Sequence, residues 1–382
     1  MNDVAGPPHL LHVFSTFVPA GPEMRTVRMI NAFGGRYRHS ILAIDGRTDA
    51  AAELEPGVDA RVLPSLPRAG TPRTVRKLRA LLRAEEPDLV LSYNWGAFDS
   101  VIASRTLGRG DRHLHHEDGF NADEAQAFKG RRIWARRWLL PGVARVVVPS
   151  NVLRGIALER WRLPEERLAL FPNGIDLGAF TARDGNPELR RELEIPEGTP
   201  VVGYVGHLRP VKNPVRLVRA LARLEHEPAP VLVMLGEGEE RAAVERAAEE
   251  AGVSARVRLV GHQSDTPPWY RLMDLFAISS DSEQMPVALL EAMASALPVV
   301  STDVGDVGTM LAEGHEDLVV PTASEPYQAL GRALQTLIDD PARRDRLGAA
   351  NRRRTEERYS FEAMLAGYRD LYDSTLAQAR PR

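Results

Sequence analysis

The sequence predicts an α/β protein of two doubly wound domains, on three observations. The chain has 382 residues, too many for one compact core and comfortable for two. Short β-branched apolar runs alternate with helical stretches, the pattern of a parallel sheet covered on both faces. That alternation stops near Asn173, passes through the Gly-, Pro- and Asp-containing stretch NGIDLGAFTARDGNPELRRELEIPEGTP, and starts again at Pro200. The expected domains are 1–175 and 190–359, with a C-terminal helix of about 360–382 packing back on the first.

In the first half HLLHVFSTF, HSILAID, DARVLP, DLVLSYN, RHLHHED, RVVVPS and RLALFPN read as strands. PEMRTVRMINAFG, TPRTVRKLRALLRAEE and NVLRGIALERW read as the helices between them. Thr71-Pro72 is a helix start and Pro87 a stop. In the second half PVVGYVG, APVLVMLG, RVRLVG, LFAISS and LPVVSTD read as strands. Their helices are PVRLVRALARLEHE, ERAAVERAAEEAG, ALLEAMASA and PYQALGRALQTLIDD. Two such domains leave a cleft between the C-terminal edges of their sheets, where open α/β sheets bind ligands.

The chain has no cysteine, which excludes a disulfide framework, thiolate zinc sites and a cysteine nucleophile, and fits a reducing cytoplasm. MNDVAGPPHLLHVFS lacks a positive n-region and reads as a first strand rather than a signal peptide. No stretch is long and apolar enough for a membrane span. Residues 1–184 carry a balance of +5 and the remainder −8, which sum to the net −3. Such an asymmetry suggests different partners for the two halves, or compositional drift.

The segment from Ser279 to Asp306, SSDSEQMPVALLEAMASALPVVSTDVGD, carries the most chemistry. A strand ends at Ser279-Ser280, a polar loop carries Glu283, and Pro286 starts a helix containing Glu291. The first N–H groups of that helix lack internal partners, and its dipole favours an anion. A nucleoside diphosphate sugar needs these elements. The diphosphate takes the N–H groups at the helix start, with Gln284, Met285, Pro286 and Val287 as the donor-binding segment, the ribose diol meets Glu291, and sugar hydroxyls meet Glu283. The plainer alternative is a loop acid and a helix acid that merely answers the dipole.

The spacing of Glu283 and Glu291, with Pro286 and Glu291-Ala292-Met293-Ala294, resembles the signature of the family 4 glycosyltransferases, retaining enzymes of the GT-B fold. That resemblance implies two Rossmann-like domains facing across a deep cleft and a nucleotide diphosphate sugar as co-substrate. It implies no bound metal or other cofactor, and no Asp-x-Asp metal loop is evident. Gln284 stands where the family often has glycine, and its side chain bears on which sugar fits.

YVGHLRPVKNP, residues 204–214, places Gly206, His207, Arg209 and Lys212 between a strand and a helix, where cations suit a diphosphate leaving group. A solvated cation pair is the plainer reading. It resembles the family's diphosphate loop, with His207 at the usual arginine position and Arg209 two residues on. LGEGEE brings Gly236 and Gly238 to a strand end, as a plain turn or for close backbone approach, and resembles a family glycine segment. VGHQ, with His262, resembles the loop facing the base.

In RHLHHEDGF a strand delivers His115 and His116 to Glu117, Asp118 and Gly119. A zinc reading is disfavoured, because the two histidines lie on opposite strand faces and no further ligands are evident. An acid-capped strand-end histidine is the plainer reading. The resemblance implies a histidine facing the reacting sugar, His116 or else His115. FVPAGPEMR, with Gly21, Pro22 and Glu23, resembles the family's Gly-Gly loop on the acceptor side, with Pro22 replacing the second glycine. PNGID resembles the segment near the hinge.

KGRRIWARRWLLPGVAR, residues 129–145, spaces Arg132, Arg136 and Arg137 for one helical face and sets Trp134 and Trp138 four apart. It suits an anionic lipid surface, or an ordinary helix with buried Trp and a solvated basic face. The expected activity is sugar transfer from the nucleotide donor to a hydroxyl of a sugar or glycolipid, in polysaccharide or glycolipid synthesis. The expected place is the cytoplasm, peripheral at the inner membrane face if 129–145 binds lipid. Glu283, His116, Lys212 and Arg209 are the candidate catalytic residues. A nucleotide-sugar epimerase, another GT-B enzyme or a non-catalytic nucleotide-binding assembly protein are the alternatives. A NAD enzyme is disfavoured because no Gly-x-Gly-x-x-Gly follows the first strand.

Overall fold

A computed structural model of the chain describes residues 6–66, 70–119, 129–322 and 326–379. It divides into two units, Met1–Pro172 with Met364–Arg382, and Asn173–Ala363.

The first unit holds β1 (His9–Phe14), β2 (Arg38–Ala43), β3 (Ala60–Val62), β4 (Leu89–Tyr93), β5 (His113–His116), β6 (Arg145–Val148) and β7 (Leu168–Leu170). They form one sheet in the order β3-β2-β1-β4-β5-β6-β7, parallel throughout. Every residue of β1 is buried, as expected for a central strand with helices on both faces. The strand order reverses between β1 and β4. Their C-terminal ends therefore open the crevice where such sheets bind ligands.

The core of this sheet is unusually polar. Six of the ten histidines lie buried on β1, β2 and β5. Five of them are accommodated by bonds to one another and to hydroxyls, and His116 bonds a backbone carbonyl. His12 Nε2 meets His39 Nδ1 at 3.0 Å and its Nδ1 meets the Tyr93 hydroxyl at 3.1 Å. Ser92 Oγ bridges His113 and His115 at 2.7 Å each. Burial holds His9, His12, His39, His113 and His116 below the ordinary histidine range, His39 at about 4.

The 129–145 segment corrects the expected arrangement. The helix runs from Gly130 to Leu139, and the chain re-enters the sheet at Arg145. Arg132 and Arg136 are buried, while Trp134 and Trp138 are 57% and 68% exposed. Both arginines lie over the Trp95 ring, at 5.1 and 5.0 Å, and Arg136 also lies over Trp161. Burying the Arg136 guanidinium between the Trp95 and Trp161 rings inverts the face expected from hydrophobicity alone, because Glu117 supplies its counter-charge.

The second unit holds β8 (Val201–Val205), β9 (Val231–Leu235), β10 (Val257–Gly261), β11 (Leu275–Ile278), β12 (Val299–Thr302) and β13 (Val319–Val320). The order is β10-β9-β8-β11-β12-β13, again parallel, with the reversal between β8 and β11. The two-residue β13 is too short to show in a hydropathy pattern. The helix Pro341–Arg358 likewise escaped, because its arginine-rich sequence shows no apolar stripe. The stretch around 176–189 is not bare linker. Ile175 and Phe180 enter the second unit's core, and Pro187–Glu192 is a helix capped by Asn186. The last helix, Phe361–Gln378, belongs to the first unit from Met364 onward; residues 380–382 of its expected span lie outside the described residues.

Candidate active site

In the second unit the strand reversal brings two loops together. The loop after β8 carries Lys212 and the loop after β11 carries Glu283. Lys212 Nζ donates to both carboxylate oxygens of Glu283, at 2.6 and 2.8 Å, and Ser280 Oγ donates to Oε1 at 2.7 Å. Backbone bonds lace the loops: Asp281 N–H donates to Val211 O at 2.8 Å, and Ser279 Oγ donates to Lys212 O at 3.0 Å. Sequence reasoning found Lys212 and Glu283 separately and missed Ser280. Only the strand order makes them neighbours.

Glu283 and Gln284 are held from below by Gly305. A Cβ at Gly305 would stand 2.5 Å from Glu283 O and 2.6 Å from Gln284 O, and its φ is +54°. Asp306 N–H donates to Gln284 O at 3.0 Å. This support was missed because a glycine after a strand reads as an ordinary turn. Met285 is buried, and its carbonyl accepts from Asn173 Nδ2 at 3.0 Å. Pro286 then caps the helix Val287–Ala294, which carries Glu291. The Tyr270 hydroxyl donates to Glu291 Oε2 at 2.8 Å.

Gly206 follows β8 directly, and His207 and Arg209 are exposed beyond it. Gly236 and Gly238 do allow a close approach, but to a protein backbone. A Cβ at Gly236 would stand 2.0 Å from Gly206 O, and one at Gly238 2.3 Å from Leu208 O. The loops after β8 and β9 are thereby zipped together, with Leu208 N–H donating to Glu237 O at 3.0 Å and Glu240 N–H to Leu208 O at 2.9 Å. His262 follows β10 and is exposed.

In the first unit the loops after β1, β4 and β5 meet. Asp118 accepts from Arg25 Nη1 at 2.6 Å, and its backbone N–H donates to Asn94 Oδ1 at 2.8 Å. Burial opposes the Arg25 charge, yet Asp118 holds the guanidinium firmly protonated. Gly21 and Pro22 open the helix that carries Arg25, and Glu23 is buried in its first turn. A Cβ at Gly21 would meet nothing within 4 Å, so the fold itself does not require glycine there. Gly119 ends the described residues at this edge, and Phe120 lies outside them.

His115 and His116 are both buried, with different engagements. His115 uses both ring nitrogens, on Ser92 Oγ at 2.7 Å and on Glu117 Oε1 at 3.4 Å. His116 Nδ1 meets Ser92 O at 3.3 Å. A carbonyl only accepts, so Nδ1 carries the proton and Nε2 presents a lone pair. That Nε2 has no hydrogen-bond partner among the described residues. The ring is stacked between Tyr93 at 4.5 Å and Tyr368 at 5.9 Å. Burial, and then Arg25, keep it neutral.

Glu117 anchors this loop. Arg136 Nε donates to Oε1 at 2.6 Å and Nη2 to Oε2 at 3.3 Å. Burial alone would raise the Glu117 carboxyl, but the Arg136 charge prevails and holds it at about 2. Among the described residues no group of His, Cys, Asp and Glu is arranged to hold a metal ion.

The "Glycosyl transferases group 1" family matches residues 185–354, and "Glycosyltransferase Family 4" matches residues 19–179. A D-inositol 3-phosphate glycosyltransferase of Salinispora tropica is 27% identical over 366 residues, covering 86% of this chain and 75% of the relative. The lipopolysaccharide core biosynthesis glycosyltransferase LpsE of Rhizobium meliloti is 33% identical over 185 residues. That match covers 48% of this chain and 53% of the relative, so the chain spans about half of LpsE. The solved structure of Anabaena HepE in complex with UDP is similar in fold, with a TM-score of 0.81 at 19% identity, over 96% of this chain and 100% of that one. The two family matches run in order from residue 19 to residue 354 over two doubly wound sheets, and the chain is a family 4, group 1 glycosyltransferase of the GT-B fold.

Proposed function

We propose that the chain transfers a sugar from a nucleoside diphosphate donor to an acceptor hydroxyl with retention, in polysaccharide or glycolipid synthesis. The observation that carries this reading is the Lys212–Glu283–Ser280 cluster at the strand reversal, beside the helix that carries Glu291. In the free protein Lys212 neutralises Glu283. An ammonium has three donors, so Lys212 can turn part of its valence to an arriving diphosphate while still orienting Glu283. Glu283 then accepts from hydroxyls of the donor sugar, and Glu291 from the ribose diol.

The anomeric carbon–phosphate oxygen bond breaks while the acceptor oxygen bonds to the same face of that carbon. The acceptor proton passes to the leaving phosphate. Lys212, Arg209 and the N–H groups at the start of the helix Val287–Ala294 stabilise the charge growing there. His116, neutral and with Nε2 as an acceptor, takes a hydrogen bond from a substrate hydroxyl. Gly21, Pro22, Glu23, Asp118 and Gly119 belong to the acceptor side. Donor identity is tested by hydrolysis of UDP-, GDP- and ADP-sugars without acceptor. One donor should turn over slowly, and Lys212→Ala should lower that rate about a hundredfold or more. A wild-type protein that neither binds nor hydrolyses any of them overturns the reading.

The acceptor is proposed to be presented at a membrane surface. The exposed Trp134 and Trp138 stack at 6.4 Å on a helix that carries four arginines and no acid. Such a pair suits the headgroup boundary, with Arg131 and Arg137 facing anionic lipid. Among the described residues no helix is long and apolar enough to cross the bilayer. The wild-type protein should co-sediment with phosphatidylglycerol vesicles, and the Trp134→Ser/Trp138→Ser variant should stay in the supernatant. Absence of wild-type binding at physiological salt rules the surface out.

A further inference from the structure

Tyr270 has no assigned part in the reaction, yet it is placed against a residue that the donor reading needs. It lies on the helix Pro267–Leu272, before β11, and its side chain is fully buried. Phe180 and Phe276 pack on its ring, each with centroids 5.8 Å away, at 73° and 48°. The ring therefore has one position. Its hydroxyl lies 2.8 Å from Glu291 Oε2 and 3.2 Å from Ala288 O. A phenol carries one proton. The shorter, charge-assisted partner takes it, so the hydroxyl donates to the carboxylate.

We infer that Tyr270 is a positioning residue that fixes the plane of the Glu291 carboxylate, and thereby sets how strongly the enzyme prefers a ribose to a deoxyribose in its donor. The inference rests on the proposed role of Glu291. A glutamate has three rotatable side-chain bonds, and a carboxylate that is to meet two vicinal hydroxyls must have its plane fixed in advance. The helix backbone places the Glu291 Cα, and Tyr270 is a buried donor on its far end. Burial and the Glu291 charge both keep the phenol protonated, so it remains a donor across the working pH range. A well-oriented carboxylate left without a ribose hydroxyl is an unsatisfied acceptor, and that penalty is the basis of discrimination.

The test is Tyr270→Phe, which removes the hydroxyl and keeps the packing ring. The probe is whichever nucleoside diphosphate the wild type binds among UDP, GDP and ADP, with its 2′-deoxy and 3′-deoxy forms. Wild type should prefer the ribose form. Tyr270→Phe should lower that preference about tenfold, with the loss in KM for the donor rather than in kcat. In a Glu291→Ala background, Tyr270→Phe should have no further effect on the ratio. A merely structural role would weaken ribose and deoxyribose forms equally and leave the ratio unmoved, which overturns the inference.

If Glu291→Ala keeps the full preference, the Glu291 reading fails instead. If Glu291→Ala abolishes it while Tyr270→Phe keeps it, Tyr270 alone is ruled out. Binding titrations at low temperature, where a destabilised variant stays folded, give the same ratio with the same outcomes.

Discussion

Replacing Arg136 by alanine should destabilise the first unit by about 3–5 kcal/mol, the usual cost of breaking a buried ion pair from one side. Glu117 is completely buried and Arg136 is 1% exposed. The pair is held by two hydrogen bonds, and the guanidinium is packed against Trp95 and Trp161. Removing Arg136 leaves a carboxylate that must either stay charged in an apolar setting or take up a proton. It also opens a gap between two indoles. Urea titrations followed by tryptophan fluorescence read this as a lower midpoint. Arg136→Met with Glu117→Gln removes both charges at similar volume and should cost much less than Arg136→Ala alone. The carboxyl sits at about 2 in the folded chain against 4.5 as its ordinary value. Its folded value is depressed, so the stabilisation is full above about 4.5 and is lost as pH falls towards 2. A change below about 1 kcal/mol in Arg136→Ala would mean that the pair carries no net stability.

Mild acid should destabilise the same unit well before Glu117 titrates. His9, His12, His39, His113 and His116 are all held below the ordinary histidine value of 6.5. For a base with a depressed folded value, the unfolded chain binds the proton first. Stability is full above 6.5 and falls below it, for His39 over the window from 6.5 to about 4. Each such histidine contributes a slope of up to about 1.4 kcal/mol per pH unit. Several acting together should lower Tm by on the order of 10 °C between pH 7.5 and 5.5. His39→Gln should flatten the slope by about one proton. A Tm that is level across that range would show that these side chains take up protons without unfolding. Hydrogen exchange should place the acid-sensitive amides on β1, β2 and β5, because the histidines lie there.

Most strands were legible from hydropathy because parallel sheets bury continuous β-branched runs. Among the elements that escaped are the two-residue β13, the helix Pro341–Arg358 with arginines around its circumference, and the short helices Asp99–Thr106 and Pro267–Leu272. The Arg132–Arg136 face was misread for a related reason. Periodicity says which residues share a face, and hydrophobicity then predicts which face turns inward. At this helix the buried partner of Arg136 is a carboxylate nineteen positions away on another element, and that reverses the preference.

Sequence by itself determined the two doubly wound domains and the family, because strand runs and the Glu283-to-Ala294 pattern are local. It also separated the candidate residues into those after β8, β9 and β10, those after β11, and those after β1 and β5. Only the tertiary structure decided which of them meet. The order β8-β11 joins Lys212 to Glu283, and the order β1-β4-β5 joins Arg25 to Asp118 through the loop at Asn94. Tyr270, Ser280, Gly305 and Arg136 took their parts from the same source. Their chemistry depends on neighbours brought in by the path of the chain across the sheet, and sequence spacing carries no record of that path.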